Sequence, residues 1–143
     1  MRRLVIVLSL LGCGSAFGAG VATIRSDHGY LGRWTWVYQA CTETYENRAD
    51  GTSSSTSGAE VGTSSYTVSD QPEASGYYRV VDTVTSSNGM TGCDGEPGGT
   101  PVGDVAVMFI FIRPSGDQML VCRTESLDHC FGPLRRIEVD VPK

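Results

Sequence analysis

The chain has 143 residues, of which 16 are acidic and 11 are basic, and its formal net charge is −5. This length provides for one domain and not two. Arg2 and Arg3 precede an apolar N-terminal stretch, and removal of these two positive charges with a leader would change the net charge from −5 to −7. A chain with this negative charge repels phosphate backbones and anionic lipid headgroups. We therefore expect no nucleic-acid partner and no electrostatic attachment to a membrane.

Residues 1–13 have the order of a secretory signal peptide. Arg2 and Arg3 form a positive n-region, the apolar residues 4–11 follow with one interruption at Ser9, and small residues come next. The apolar stretch is far too short to span a bilayer. The order of charge, apolar run and small residues therefore predicts export.

Leu10-Leu11-Gly12-Cys13 resembles the bacterial lipobox, whose cysteine carries a lipid and becomes the first mature residue. This resemblance implies a lipid on Cys13 and an anchored protein on the periplasmic side of the cell envelope, at the outer membrane more than the inner one. Ordinary cleavage after Ala16 or Gly18 is the alternative, and it would release a free product. Residues 14–29 show no periodicity and predict a flexible tether, which leaves residues 30–143 as a single β domain.

Four cysteines remain once Cys13 is assigned to the lipid. An even set in an exported chain predicts two disulfides, because the compartment is oxidising. The short C-x₂₋₄-C spacing of a zinc site is absent from the sequence. Three pairings are open, and our hypothesis joins Cys122 to Cys130 across a hairpin and Cys41 to Cys93, which would tie the first strand to a glycine-rich loop.

The first predicted strand contains Trp34, Trp36 and Tyr38 on one face, since side chains alternate along a strand. We expect these aromatic residues, together with Phe109, to fill the core or, in the alternative, to line a ligand cavity. Residues 41–48 continue as a strand to the Asp50-Gly51 turn signal. Twelve of the fifteen residues 51–65 are Gly, Ser or Thr, and we interpret them as strands in preference to a flexible linker.

The second half of the chain predicts a central hairpin. Residues 105–112 are all apolar, which is typical of a strand with a neighbour on each side, and residues 114–117 turn it back into residues 118–122. Phe109 lies on one face of this run and Met108 and Ile110 lie on the other, and we expect the face that meets Trp34 across the barrel to be the more buried. Further segments are predicted at residues 65–69, 77–85 and 130–137, with an irregular loop at 91–103.

No stretch has sustained helical periodicity. Seven or eight short strands predict an all-β fold, either a small antiparallel up-and-down barrel or a meander sandwich, with disulfides across it. Gly32-x-Trp34, the aromatic segment 45–52 ending in Asp-Gly-Thr, and the strands at 66–68 and Tyr77 resemble the lipocalin-like and calycin group of small barrels. The resemblance implies that Trp34 closes the narrow end of the barrel and that Arg135 or Arg136 packs on it. The first-strand Gly-Arg-Trp also resembles small periplasmic protease inhibitors.

Two clusters contain residue types that are used in catalysis or metal binding. Ser126, Asp128 and His129 lie too close in the chain for a catalytic triad, which assembles from distant segments, and we interpret them as a polar turn. The acidic residues 94–104 lack the spacing of an EF-hand and are broken by prolines, so we interpret them as a solvated loop. His28 and His129 alone are too few for a metal site. We therefore expect no catalytic residue, no metal and no cofactor.

Our leading functional hypothesis is a non-catalytic, lipid-anchored module that binds another envelope or exported protein, as an inhibitor, an immunity factor or an assembly partner. Polar loops on a rigid, disulfide-linked scaffold are suited to such recognition. The alternative is a lipocalin-like carrier of a small apolar ligand. A cavity larger than a few water molecules, lined by Trp36, Tyr38 and Phe109, would favour the carrier. A filled core with a conspicuous loop surface would favour the protein binder.

Overall fold

The computed structural model describes residues 23–138, and they form a closed barrel of eight antiparallel strands. Each strand pairs with the next in the chain, and the last pairs with the first. The predicted all-β barrel is confirmed, and the sandwich alternative is excluded because the sheet has no free edge. The strands are β1 (Gly32–Tyr38), β2 (Cys41–Asn47), β3 (Thr52–Ser57), β4 (Glu60–Val68), β5 (Tyr78–Ser87), β6 (Val105–Ile112), β7 (Gln118–Cys122) and β8 (Cys130–Ile137).

The serine- and threonine-rich segment forms β3 and the first half of β4. These residues pair in continuous register with each other and with β2. Threonine hydroxyls meet across the strands, as between Thr63 and Thr85, whose Oγ1 atoms lie 2.9 Å apart. Such cross-strand pairs stabilise a sheet that has few large side chains. The strand interpretation of residues 51–65 is therefore correct.

Strand β6 alternates between a barrel interior and a barrel exterior. Ile110 is fully buried among the core residues, and Met108 packs against the same core. Phe109 and Phe111 point to the other side, where Phe111 contacts the ring of Tyr77 with centroids 5.6 Å apart. The assignment of Phe109 to the core or to a ligand-facing position is wrong, because inward-facing positions on this strand are the even-numbered ones.

One end of the barrel, which we call the closed end, is plugged by Trp34 and Arg136. Trp34 is completely buried, and the Arg136 guanidinium carbon lies 4.2 Å from the centroid of its ring. Arg136 also donates hydrogen bonds to the carbonyl oxygens of Leu31 (2.7 Å), Gly29 (2.7 Å) and Gly116 (2.8 Å). Of the two arginines that the resemblance named for this contact, Arg136 makes it and Arg135 is exposed.

Residues 23–31 cross the closed end before β1 begins. The Ile24 amide donates to the Ala49 carbonyl at 3.0 Å, and His28 and Tyr30 are buried, with exposures of 3% and 6%. Residues 23–29 are therefore part of the domain, and the predicted tether 14–29 is too long. Ile24 and His28 account for the difference, because Ile24 packs against the core and His28 is buried. The leader, Cys13 and the first part of the tether lie outside the described residues.

Both hypothesised disulfides are present. Cys122 and Cys130 are direct partners across the β7–β8 hairpin, and next to them the Arg123 amide donates to the His129 carbonyl. Cys41, at the start of β2, is joined to Cys93 in the long β5–β6 connection. No helix within residues 23–138 has the length and hydropathy needed to cross a membrane.

Candidate functional site

A cavity of about 310 Å³ lies inside the barrel and opens at the end opposite Trp34, which we call the mouth. Its deep part reaches Tyr30 and Asn47, next to the closed end, and its outer part reaches Asp94 and Asp104. Ligand pockets of proteins measure roughly 300 to 1,000 Å³, and a water molecule takes about 30 Å³ of liquid volume. The barrel interior is therefore partly empty on the scale of a small organic molecule.

The cavity exists because small side chains face inward on one side of the barrel. Ser53, Ser55 and Ser57 are the inward residues of β3, and Gly62 and Ser64 take the facing positions on β4. Serine and glycine cannot fill a barrel interior that larger residues would close. The segment richest in serine is therefore the part of the sequence that leaves room for a ligand.

The two halves of the cavity differ in polarity. Strands β6 to β8 supply an apolar wall, and strands β2 to β5 supply a polar wall. The apolar wall consists of Ala106, Met108, Ile110, Met119, Val121, Phe131 and Leu134. The polar wall carries Glu43, Asn47, Ser53, Ser55, Ser57, Glu60, Ser64, Asp82 and Ser86. A ligand with an apolar part and a polar part matches this division better than a purely apolar one.

In the part of the chain that the structure describes, five carboxylates and no basic side chain line the cavity: Glu43, Glu60, Asp82, Asp94 and Asp104. The ion pairs found among residues 23–138 join Arg25 to Asp27 and Asp70, and Arg48 to Glu46. None of them involves a cavity carboxylate. The interior therefore carries negative charge that this part of the chain does not neutralise.

Glu43 is held by neutral donors at the mouth. The Tyr45 hydroxyl donates to its Oε2, and Ser57 Oγ donates to its Oε1 at 2.8 Å. Ser57 Oγ in turn accepts the Cys93 amide at 2.9 Å, which links the carboxylate to the β5–β6 connection. Burial and the bond to Glu43 raise the pKa of Tyr45, so the phenol stays protonated and remains a donor.

Residues 88–104, which we call the mouth loop, lie over Glu60. The Thr100 amide donates to Glu60 Oε1 at 2.5 Å, and Ser87 Oγ donates to the same oxygen at 3.3 Å. A Cβ on Gly92 or on Gly99 would lie 2.9 Å from a Glu60 carboxylate oxygen. Gly99 also has a φ of +62° and lies against the Met90 carbonyl oxygen, so position 99 favours glycine. The mouth loop is thus fixed by Glu60, by Ser57 and by the Cys41–Cys93 disulfide.

Asp82 lies on the polar wall of β5, farther from the mouth loop. Burial raises the pKa of this carboxyl, and a hydrogen bond with Ser64 offsets part of that effect. No ion pair to Asp82 occurs within residues 23–138. Holding a carboxylate in this position costs folding free energy, since part of its hydration is lost without a countercharge.

Three aromatic side chains form a group at the edge of the mouth, which we call the rim cluster: Trp36, Tyr38 and Phe131. Trp36 stacks on Tyr38 with centroids 5.5 Å apart and lies 5.2 Å from Phe131. Tyr38 is 55% exposed and Phe131 is 37% exposed. The rim cluster leaves apolar aromatic surface in contact with solvent beside the opening.

The four residues proposed for the core or a ligand site lie in different places. Trp34 is in the core, Trp36 and Tyr38 belong to the rim cluster, and Phe109 faces outward. None of the four lines the cavity. The prediction that Trp34 fills the core is correct, and Trp36 packs against that core, whereas Tyr38 is too exposed to fill it.

The two other candidate clusters form no assembled site. Ser126 Oγ donates to Asp128 Oδ2 at 2.8 Å and accepts a hydrogen bond from the Asp128 amide. Ser126 is thus the N-cap of a short 3-10 turn, and His129 takes no part in these bonds. Within residues 23–138, no group of three or more histidine, cysteine or acidic side chains is arranged to hold a metal ion. In the acidic loop, Asp94 and Asp104 instead face the cavity.

The sequence patterns do not indicate Glu43, Glu60 and Asp82 as cavity residues. The position of Asp82 in β5 does indicate that its side chain points inward, because it lies two residues from the fully buried Val80 and therefore on the same strand face. Glu43 shares its face with Tyr45 and Asn47, but β2 is polar on both faces, so the inward face is not evident from its pattern. The position of Glu60 depends on the mouth loop, which has no periodicity.

A second, more open depression of about 520 Å³ lies outside the barrel at the closed end. Arg33, Glu46, Arg136 and Glu138 line it, so it carries both signs of charge. Arg136 is already engaged in the plug on Trp34. The interior cavity is therefore the better candidate for a ligand site.

No family model, no curated protein and no solved structure matches this chain.

Proposed function

We propose that this protein is a non-catalytic binding protein that takes a small amphiphilic molecule into its barrel, in an envelope-anchored form with a lipid on Cys13. The observation that carries the proposal is the cavity of about 310 Å³ with one apolar wall and one polar wall. A filled barrel would have favoured recognition of a protein by the loops alone. The geometry thus supports the carrier hypothesis, in an amphiphilic and not a purely apolar version.

Two further features support this function. The mouth loop is held across the opening by the Cys41–Cys93 disulfide and by Glu60, so the opening is narrowed but not closed. The closed end is plugged by Trp34 and Arg136, and the residues that line the cavity extend from there to the mouth loop. A rigid, largely preformed pocket binds with a small ordering cost, which suits a carrier.

The test is titration with N-phenyl-1-naphthylamine, a neutral aromatic probe that becomes fluorescent in apolar surroundings. We expect saturable binding with one site per protein. Ala106→Phe should abolish the signal, because Ala106 lines the cavity and the added ring would occupy it. Val107→Phe is the matched control, because its neighbour Val107 is 43% exposed on the outer face of the same strand.

Equal binding by the wild type, Ala106→Phe and Val107→Phe would place the probe on the surface and refute the cavity proposal. Loss of binding in both variants would indicate damage to β6 in general. A thermal melt of each variant separates this outcome from a specific effect, since both variants should unfold with the cooperativity of the wild type.

The rim cluster favours a second candidate, the binding of another envelope or exported protein. Tyr38 and its neighbour Val37 are 55% and 62% exposed, and Leu127 is 67% exposed in the β7–β8 connection. Exposed aromatic and aliphatic residues around a polar loop are typical of the centre of a protein interface. Crosslinking from a photoreactive residue at position 37 tests this: a protein adduct that is lost when Tyr38→Asp is added would support it, and absence of any protein adduct in intact cells would contradict it.

A further inference from the structure

The charge of the cavity specifies the ligand more closely. We propose that the cavity binds an organic cation with an apolar tail, with the cationic group near the carboxylates of the polar wall and the tail against the wall formed by β6 to β8. This inference rests on the proposed binding function. It concerns the sign of the ligand's charge, which that function leaves open.

The distribution of charge supports a cationic ligand. Five acidic residues line this one cavity, and no basic residue among the described residues 23–138 does. These carboxylates come from β2, β4, β5 and the mouth loop, so they surround the opening and are not confined to one turn. Low-dielectric walls concentrate such a field at the opening, which attracts cations and repels anions.

The internal hydrogen bonds of these carboxylates leave their charge in place. Glu43 and Glu60 accept bonds from hydroxyl and amide groups, which are neutral donors. Asp82 is partly desolvated by burial, and no ion pair to it occurs within residues 23–138. A bound ammonium group would supply the missing countercharge, and it would be worth more there than in water.

The apolar wall indicates that the ligand has an apolar tail in addition to its cationic group. The deep part of the apolar wall is formed by Met108, Ile110, Met119 and Leu134. The last three of these side chains are almost completely buried. An alkyl chain that fills this space gains the hydrophobic free energy of each methylene removed from water. The two halves of the cavity thus define a ligand with its charge toward the mouth and its tail toward Trp34.

The experiment compares three probes of equal length by isothermal titration calorimetry at neutral pH: octylamine, 1-octanol and octanoate. Octylamine is protonated under these conditions, as a lysine side chain is. We expect octylamine to bind about tenfold more tightly than octanol, and octanoate more weakly than both. The preference for the amine should decrease as salt is raised, because its electrostatic part is screened.

Asp82→Asn should reduce the preference for octylamine over octanol about threefold or more. Glu73→Gln is the control, because it removes one negative charge from an exposed loop at the closed end. Both variants change the net charge equally. If only Asp82→Asn reduces the preference for octylamine, the effect comes from the charge inside the cavity and not from the net charge of the protein.

The outcomes separate this inference from the proposed function. Equal affinities for amine and alcohol, or tighter binding of octanoate, would overturn the cationic assignment and leave small-molecule binding intact. Failure of all three probes would overturn both. Competition of calcium chloride with octylamine at low concentration, beyond the effect of the same ionic strength of sodium chloride, would assign the carboxylates to a metal and would also overturn the inference.

Discussion

Arg136 combines three interactions at the closed end, and each depends on a different part of its side chain. The guanidinium face covers Trp34, and its nitrogens donate to carbonyl oxygens of residues 29, 31 and 116, which belong to the N-terminal segment and the β6–β7 turn. Those carbonyls have no partner in a regular strand. One side chain therefore holds the N-terminal segment, the β6–β7 turn and the core tryptophan together.

We predict that Arg136→Met lowers the free energy of unfolding by about 3 kcal/mol, because it removes charge-assisted hydrogen bonds and a cation–π contact. Arg135→Met is the control with the same charge change, and since Arg135 is exposed it should cost less than about 0.5 kcal/mol. Urea denaturation followed by tryptophan fluorescence measures both. Equal costs would show that the plug at the closed end contributes nothing specific.

Asp82 gives a pH-dependent prediction. Burial raises its folded-state pKa above the unfolded value, so ionisation disfavours the folded state at any pH above that raised pKa. Asp82→Asn should therefore be more stable than the wild type at pH 7. The difference should shrink as the pH falls through the folded-state pKa of Asp82, and it should vanish at about pH 3, below the ordinary aspartate pKa.

Chemical denaturation of the wild type and of Asp82→Asn across this pH range measures the difference. Glu73→Gln, at an exposed position, serves as the control and should show no comparable gain at pH 7. A variant that is less stable than the wild type at pH 7 would contradict the account of Asp82 as a carboxylate that costs stability.

At the level of the strands, the sequence predicts which segments form strands better than it predicts which face of each strand points into the barrel. The all-apolar β6 and the serine-rich β3 are both recognisable as strands, and the spacing of Cys122 and Cys130 indicates their pairing. Which face of β6 is inward cannot be read from its pattern, because both faces are apolar. Register with the neighbouring strands decides it, and that depends on loops such as residues 88–104 that carry no periodic signal.

This assignment of faces on β6 is testable by paired truncations. Ile110→Ala should lower the free energy of unfolding by about 2 to 5 kcal/mol, because Ile110 is fully buried. Val107→Ala, on the outer face, should change it by less than about 0.5 kcal/mol. The denaturant midpoints of the two variants decide between the faces, and a larger effect at Val107 would reverse the inward and outward sides of β6.

The mouth loop depends on its disulfide. We predict that the double variant Cys41→Ser, Cys93→Ser loses about 3 to 4 kcal/mol of stability by the loop-entropy model, since the bridge spans 52 residues of sequence. Amide hydrogens of residues 88–104 should exchange faster in this variant, while those of β6 and β7 keep their relative protection. Unchanged exchange in the loop would mean that Glu60 and Ser57 suffice to hold it.

At the level of the whole molecule, the barrel has two unlike ends. The N-terminal segment lies at the closed end, because Ile24 bonds to Ala49 in the β2–β3 turn there, and the cavity opens at the opposite end. A chain that is anchored through Cys13 therefore enters the barrel at its closed end. We expect the mouth to face away from the membrane that holds the lipid, toward the aqueous compartment.

The anchor itself remains a prediction, since Cys13 lies outside the described residues. Cys13→Ser should abolish metabolic labelling by a fatty-acid analogue and leave the protein unprocessed or free of the membrane fraction. Ser15→Ala is the control, as a substitution two residues from the lipobox cysteine. A wild-type protein that partitions into buffer without detergent would exclude a lipid and favour ordinary cleavage after Ala16 or Gly18.

Methionine methyl groups give the most direct test of a ligand-binding cavity. Of the four methionines, Met1 lies in the predicted leader, Met108 and Met119 line the cavity, and Met90 is 52% exposed on the mouth loop. With ¹³C-methyl methionine, octylamine should shift the Met108 and Met119 signals in a saturable way and leave Met90 nearly unchanged. Unshifted Met108 and Met119 signals at saturating octylamine, or a shift confined to Met90, would contradict a ligand inside the barrel.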